Sequence, residues 1–237
     1  MSEILELGGL VFQVRRSPRR RTVALVVDRA AELIVNSPES VTADDLSRWI
    51  HSKLLWVHRK LALKSEFAIR GRNPEYVSGE SFMYLGKRYR LRLLSDQRQD
   101  LRFDGTSFLL RCNAQPADEL FRRWYIQSGR RWLKRRLPSL YRLTGVSPSR
   151  VVVRDLGFRW GSCGRDNSIN LNWRVFQLPV SLIDYLVLHE LCHIEEPSHG
   201  PKFWRALDRT LPDWRQRREA LNRMVREIYW CSPEEMR

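Results

Sequence analysis

The stretch His189-Glu190-Leu191-Cys192-His193-Ile194-Glu195-Glu196-Pro197-Ser198-His199 decides how the rest of the chain is organised. It holds three of the five histidines in a chain of 237 residues. On a helix, positions four residues apart lie one turn above each other, so His189 and His193 project from one face and can share a metal ion. A hydrolytic zinc site needs three protein ligands and an open position for water. The spacing therefore predicts that His189, His193 and His199 bind Zn²⁺.

Glu190 lies directly beside the first of these histidines. Zinc lowers the pKa of a bound water towards about 7 and polarises a substrate carbonyl, while a nearby carboxylate takes the water proton and passes it to the leaving amine. The pattern predicts metal-assisted amide hydrolysis with Glu190 as general base. The alternative is an accidental H-E-x-x-H motif on a buried helix whose histidines are satisfied by hydrogen bonds.

The sequence around the motif predicts a buried helix with defined ends. Residues 180–188 are apolar on nearly every side, which is typical of a helix in the centre of a domain. Ser181 and Asp184 form a plausible capping box at its start, and Pro197 predicts its end near Glu195 or Glu196. Glu196 occupies the glycine position of the metzincin pattern H-E-x-x-H-x-x-G-x-x-H, so that pattern fits less well.

The composition indicates the cellular environment in which this site is expected. The chain has no basic-then-apolar leader and no apolar run of membrane-spanning length, so we expect a soluble cytoplasmic protein without membrane contact. Its four cysteines are widely spaced without a C-x-x-C pair, which predicts reduced thiols.

Lys and Arg exceed Asp and Glu by 42 to 27, a net charge of +15 that attracts polyanions, of which nucleic acid is the commonest. On a long helix expected to end near Leu143, Arg123, Arg130 and Lys134 fall on one stripe. This stripe is either a solvated face or a nucleic-acid surface. A rival hypothesis follows: a basic nucleic-acid-binding protein whose metal only stabilises the fold, with Cys163 as a fourth ligand.

The remaining pattern predicts an α+β fold. Residues 9–14, 22–27 and 32–35 read as short antiparallel strands, and a helix begins at Thr42 and runs to about Lys64. Residues 82–94 and 101–111 read as hairpins. We expect a small β-rich domain with one helix at residues 1–113 and, beginning near Ala114, a second domain at 114–237.

Residues 168–175 alternate between apolar and polar side chains and predict a strand, preceded by a turn-rich loop at 156–164. The strand is either an edge that pairs with an extended peptide or an ordinary half-buried strand. Asn170 and Asn172 on its polar face, together with Tyr185, are candidate substrate-binding residues. Phe203, Trp204 and Leu207 are expected to pack behind the metal site, and residues 214–229 to form a final helix.

Several short motifs along most of the chain together resemble the YgjP-like zinc metallopeptidases, a family related in its site to the SprT-like and WLM proteases. The matching segments are Gly79 to Tyr89 with Leu85-Gly-Lys-Arg-Tyr89, Trp124-Tyr125, Arg159-Trp-Gly-Ser-Cys163, Ile169-x-Leu-Asn172, Pro179 to Tyr185, His189 to His193, His199, Phe203-Trp204 and Leu211-Pro-Asp213.

The resemblance implies that residues 114–237 form a minimal zincin-like domain, a sheet with the H-E-x-x-H helix, that cleaves peptides or proteins. His189, His193 and His199 would be its zinc ligands and Glu190 its catalytic residue. A DNA-linked protease of the SprT type would combine this chemistry with the basic surface.

Overall fold

The computed structural model describes residues 3–27, 32–58, 60–62, 74–114, 116–157, 159–224 and 228. Over these residues the protein has the expected α+β fold, with strands in three sheets and several helices. Its backbone contacts divide the chain into two compact units, Met1–Arg70 with Ser232–Arg237 and Gly71–Cys231.

The first unit contains a four-stranded sheet that packs against helix α1 (Ala43–His51). Its strand order is β1-β2-β4-β3. Strands β2 and β4 pair in parallel, so the expectation of a wholly antiparallel sheet was wrong. Strand β3 pairs antiparallel with the outer edge of β4. Strand β4 therefore lies between β3 and β2 and runs in the same direction as β2. The elements are β1 (Glu3–Leu7), β2 (Leu10–Arg16), β3 (Ala24–Val27), β4 (Leu33–Ser37) and α1 (Ala43–His51).

Helix α1 begins as its sequence predicts. The Thr42 side-chain oxygen accepts a hydrogen bond from the backbone N–H of Asp45 at 3.2 Å, which satisfies one of the free donors at the helix start. Leu46 and Ile50, one turn apart, are fully buried in a core with Phe12 and Val14 of the sheet. The expected single helix is interrupted, because α1 ends at His51 with Ser52 as its C-cap and helical residues resume only at Leu54. The predicted end near Lys64 lies outside the described residues.

The second unit opens with a sheet of the same topology. The strand order is β5-β6-β8-β7, again with an antiparallel hairpin, a parallel central pair and an antiparallel outer pair. Both first hairpins turn through two residues with positive φ, Gly8-Gly9 in one sheet and Leu85-Gly86 in the other. The chain thus uses one four-strand-and-helix arrangement twice. The strands are β5 (Ser81–Tyr84), β6 (Lys87–Leu94), β7 (Leu101–Phe103) and β8 (Ser107–Arg111).

The helix that covers this second sheet is α2, Ala117–Thr144. Phe121 on α2 stacks on Phe82 at a centroid distance of 4.2 Å and contacts Phe108 at 5.2 Å. Because these aromatic rings join the sheet to α2 in one core, the domain boundary expected at 113/114 falls inside the second unit.

A three-stranded sheet and three more helices complete the second unit. Its order is β10-β11-β9, so the predicted strand β11 lies in the middle of the sheet and β10, within the expected loop 156–164, forms an edge. The expected strand also ends early, because residues 173–177 turn into a buried 3-10 helix. The elements are β9 (Val151–Arg154), β10 (Gly161–Cys163), β11 (Ile169–Asn172), α3 (Val180–Glu195), α4 (Pro201–Thr210) and α5 (Trp214–Met224).

Helix α3 ends where Pro197 predicts but does not begin with a capping box. No side chain caps its start at Pro179. Asp184 instead accepts two hydrogen bonds from Arg136 of α2, at 2.9 and 2.5 Å. The planar guanidinium offers two parallel charge-assisted donors, which the single backbone N–H of Ser181 in a capping box cannot match. The end of the last helix predicted at Tyr229 lies outside the described residues.

Among the described residues, Cys112, Cys163 and Cys192 are free thiols, and Cys231 lies outside them. In the same residues, every helix is too short or too polar to cross a lipid bilayer.

Gly129 sets the distance between α2 and the 3-10 helix. A Cβ atom there would lie 2.1 Å from the ring of Phe176, which is fully buried. We expect Gly129→Ala to lower the free energy of unfolding by about 2 kcal/mol through overpacking, although alanine favours helix. The melting temperature measured by circular dichroism should fall by about 5 °C. Gln127→Ala, on the exposed side of the same helix, is the control, and equal melting of both variants would contradict the packing argument.

Candidate active site

The three histidines of the motif converge at one point. The Nε2 atom of His199 lies 2.9 Å from Nε2 of His189 and 3.1 Å from Nε2 of His193. Of the described His, Cys, Asp and Glu side chains, these three alone bring potential ligand atoms within 4.8 Å of one another. Helix α3 supplies two of them one turn apart, and the segment between α3 and α4 returns the third.

Hydrogen bonds orient the imidazole of His193 and hold the backbone of His199. Nδ1 of His193 lies 3.0 Å from the carbonyl oxygen of Glu196, just past the end of α3. If Nδ1–H donates there, the lone pair of Nε2 is directed towards the other histidines. The indole N–H of Trp204 donates to the carbonyl oxygen of His199 at 2.9 Å and holds that residue in place. Trp204 is itself stacked on Trp214 of α5 at 4.5 Å.

Phe203 of α4 packs against all three imidazoles. Its ring centroid lies 4.9 Å from that of His189, 4.5 Å from that of His193 and 4.7 Å from that of His199. The side chain is fully buried. The expectation that Phe203 and Trp204 lie behind the site is confirmed, and the contact limits how far the imidazoles can rotate.

The arrangement fits a divalent metal ion. Burial lowers the pKa of His189 to about 3 and also lowers the pKa of His199, with the neighbouring imidazoles acting in the same direction, so both are neutral near pH 7. Neutral nitrogens with convergent lone pairs repel unless a cation lies between them. Tetrahedral zinc with bonds of about 2.0 Å would separate its nitrogens by about 3.3 Å, close to the distances observed.

Glu190 lies beside this cluster against strand β10. The residue is 6 % exposed, and a Cβ atom on Gly161 would lie 2.6 Å from its Oε1 atom. Only a glycine leaves room for the carboxylate here. Burial raises the pKa of Glu190 to about 7, and the positive charge of Arg159 acts in the opposite direction.

Glu190 and the three imidazoles line a cleft of about 580 Å³ whose opposite wall is the edge strand β10. In the β10–β11 ladder, Trp160 and Gly164 make backbone hydrogen bonds with Asn172 and Ser168. In an antiparallel pair, residues that hydrogen-bond to the partner strand alternate with residues that do not. The N–H and C=O groups of Gly161 and Cys163 therefore point away from β11 towards the outer edge. The cleft is lined by Gly161, Ser162, Cys163, Gly164, Arg165, Asn167, His189, Glu190, His193, Ile194, Pro197 and His199.

The three candidate substrate-binding residues lie outside this lining. Asn172 is fully buried, and its amide donates to the carbonyl oxygens of Gly157 and Arg159, both at 2.8 Å. Tyr185 is also buried, one turn before His189 with its ring 6.0 Å away. Asn170 comes nearest, since its amide lies 3.4 Å from the hydroxyl of Ser162 on β10.

The predicted basic stripe lies elsewhere, on the exposed side of α2. Arg123 contacts Glu119 at 3.4 Å, Arg130 donates to the carbonyl oxygen of Val153 at 3.3 Å, and Lys134 is exposed. None of the three lines the histidine cleft.

Sequence reasoning missed the role of Gly161 and of the edge strand that contains it. The turn-rich composition of residues 156–164 predicted a loop, and the family resemblance included Arg159-Trp-Gly-Ser-Cys163 without giving Gly161 a role. The pairing of β10 with β11 is a tertiary contact that local composition does not encode.

On an α+β fold, three convergent imidazoles beside a buried carboxylate in an open cleft are the arrangement of a metal-dependent hydrolase. The comparison with protein families makes this assignment specific. The family model "YgjP-like, metallopeptidase domain" matches residues 21–224. The chain belongs to the YgjP-like metallopeptidase family, and its substrates are therefore peptides or proteins.

Curated proteins give no match. Among solved structures, the crystal structure of the metallopeptidase zymogen of Pyrococcus abyssi abylysin is similar with 21% identity and a TM-score of 0.36, covering 40% of this chain and 93% of that one.

Proposed function

We propose that the protein is a zinc-dependent metallopeptidase whose metal is held by His189, His193 and His199. The convergence of the three Nε2 atoms carries this proposal. Nitrogen ligands in a tetrahedral arrangement favour zinc among the common divalent ions. Among the described residues, neither Cys163 nor a carboxylate joins the cluster, which supports an open fourth position and hence a catalytic site over a closed structural one.

Glu190 is proposed as the general base. A bound zinc ion would polarise the scissile carbonyl and acidify a water molecule in its open position. The Glu190 carboxylate lies on the cleft side of α3, where it can take the proton of the attacking water and later give it to the leaving amine. Its packing against Gly161 restricts it to one region of the cleft.

An extended substrate is proposed to pair with the outer edge of β10. The outward N–H and C=O groups of Gly161 and Cys163 supply backbone hydrogen bonds that are independent of the substrate's sequence. Asn170 then acts indirectly, through its contact with Ser162 on that strand. We propose structural roles for the buried Asn172 and Tyr185, and a cytoplasmic location in keeping with the free thiols of the described cysteines.

Metal removal tests the proposed cofactor. We expect the purified protein to contain about one zinc per chain. A chelator should abolish peptide cleavage, and added Zn²⁺ should restore it whereas Mg²⁺ should not. Metal content is read by mass spectrometry and cleavage with a quenched fluorescent peptide library. Full cleavage by protein from which all metal has been removed would refute the proposal.

A further inference from the structure

The turn between β10 and β11 places an arginine at the wall of the histidine cleft. In this turn the backbone N–H of Gly164 donates to the carbonyl oxygen of Ser168 at 2.7 Å, and that of Asn167 donates to Gly164 at 3.0 Å. Asn167 has a φ of 57°, the left-handed conformation that closes a hairpin loop of three residues. Arg165 is the first residue of this loop, and it is exposed and lines the cleft.

The acidic neighbour of this arginine is held by other partners. Asp166 accepts hydrogen bonds from the hydroxyl and the backbone N–H of Ser168, at 2.6 and 3.3 Å, and pairs with Arg150 at 3.1 Å. A Cβ atom on Gly164 would lie 2.6 Å from the Asp166 carboxylate, so this arrangement needs a glycine there. In the described part of the chain no carboxylate pairs with Arg165, so its guanidinium is available to a ligand.

Positive charge dominates the surroundings of the cleft. Among the described residues that line it, Arg165 is the only Lys or Arg and the buried Glu190 is the only Asp or Glu. Burial raises the pKa of Glu190, and the positive charge of Arg159 opposes this rise. Burial and the neighbouring imidazoles lower the pKa of His189, and Arg218 of α5 acts in the same direction. Because a cleft concentrates the field of the charges around it, acidic ligands are favoured over basic ones.

A substrate paired with β10 would bring one of its side chains to Arg165. Glu190 lies against Gly161, and Arg165 follows Gly161 by four residues, which span at most about 13 Å of extended chain. An extended peptide advances by about 3.3 Å per residue, so a side chain two to four residues from the scissile bond lies within reach of the guanidinium. Backbone pairing with β10 is the same for every sequence, so selection has to come from side chains beside it.

We propose that Arg165 selects substrates with an acidic side chain two to four residues from the scissile bond, on the side nearer the β10–β11 turn. This preference rests on the proposed function of the histidine cleft and adds a substrate class to it. The guanidinium offers parallel N–H donors that match a carboxylate. One such charge-assisted contact favours glutamate over glutamine by about tenfold in kcat/KM.

The test varies one residue of an alanine-rich, quenched fluorescent peptide. Glu, Gln or Lys is placed at successive positions, and the scissile bond is located by mass spectrometry. We expect the Glu peptide to be preferred at one position on one side of the bond, through KM with little change in kcat, because the contact is made in the bound substrate. The preference should shrink as the salt concentration rises from about 50 to about 300 mM.

Variants of the arginine separate its charge from its geometry. Arg165→Glu should reverse the order, so that the Lys peptide is cleaved faster than the Glu peptide. Arg165→Lys should keep a preference of about threefold, since the charge remains while the two parallel donors are lost. The matched control is Arg154→Glu, an exposed arginine that ends β9 at the opposite edge of the same sheet, and it should keep the wild-type order. Equal melting temperatures of all variants exclude misfolding.

Binding of the same peptides to Glu190→Gln, measured by fluorescence anisotropy, separates this preference from the proposed chemistry. If the wild type cleaved no peptide, the proposed function would fail, while tighter binding of the Glu peptide that is reversed by adding Arg165→Glu would still support the role of Arg165. Three results would overturn that role: equal binding and cleavage of the Glu and Gln peptides, a preference that Arg165→Glu leaves unchanged, or a reversal by Arg154→Glu as well.

Discussion

We expect Glu190→Gln to lower kcat/KM for peptide cleavage by about 10³-fold while the protein keeps its zinc. Glutamine has the same shape as glutamate, so it fits the space left by Gly161 and preserves the packing of α3 against β10. It cannot accept the proton of the attacking water. The loss should appear in kcat with little change in KM, since the carboxylate acts on water and not in binding the peptide.

The matched control is Glu195→Gln on the same helix. Glu195 is exposed and does not line the histidine cleft, so its neutralisation should leave the rate within about twofold of the wild type. Zinc content and melting temperature are measured for both variants. Equal cleavage by Glu190→Gln and wild type would remove Glu190 from the mechanism while leaving the metal site in place.

The second large effect is expected from His199→Ala. His199 is the proposed ligand that comes from outside helix α3, and its Nε2 atom lies about 3 Å from the Nε2 atoms of His189 and His193. Loss of one of three protein ligands should weaken zinc binding by at least about a hundredfold and abolish cleavage at limiting zinc. Zinc affinity is measured by competition with a fluorescent chelator.

Histidines of the first unit provide the control for this variant. His51→Ala and His58→Ala remove exposed imidazoles that take no part in the cluster, and both variants should bind zinc as the wild type does. If His199→Ala also kept wild-type affinity, the metal would have to be held by another set of ligands.

The sequence was most informative where one helix carries the signal. The spacing of His189 and His193 follows from the helical repeat, and the end of α3 follows from Pro197, because proline removes a backbone donor and restricts the residue before it. Thr42 predicted the start of α1 for a similarly local reason. The basic stripe of α2 was also visible as a periodic pattern.

Contacts between distant segments were not predictable in the same way. The alternation in residues 168–175 indicated a strand, but neither its central place in the sheet nor its early end at Asn172 could be read from it. Asp184 was expected to cap α3, and it pairs with Arg136, which lies 48 residues away in the chain. In both cases a contact with a segment that is distant in the chain outweighs the preference of the local sequence.

The sequence by itself predicted the residues of the candidate site: the three imidazoles, the carboxylate, and the helix that spaces two of them. Only the tertiary structure decided that Gly161 brings an edge strand against Glu190, and that Asp184 pairs with Arg136 of α2 and does not cap α3. The physical reason is the distance along the chain over which each effect acts. Helical spacing and proline restriction act within a few residues, whereas strand neighbours and the cleft depend on which buried surfaces pack together once the chain has folded.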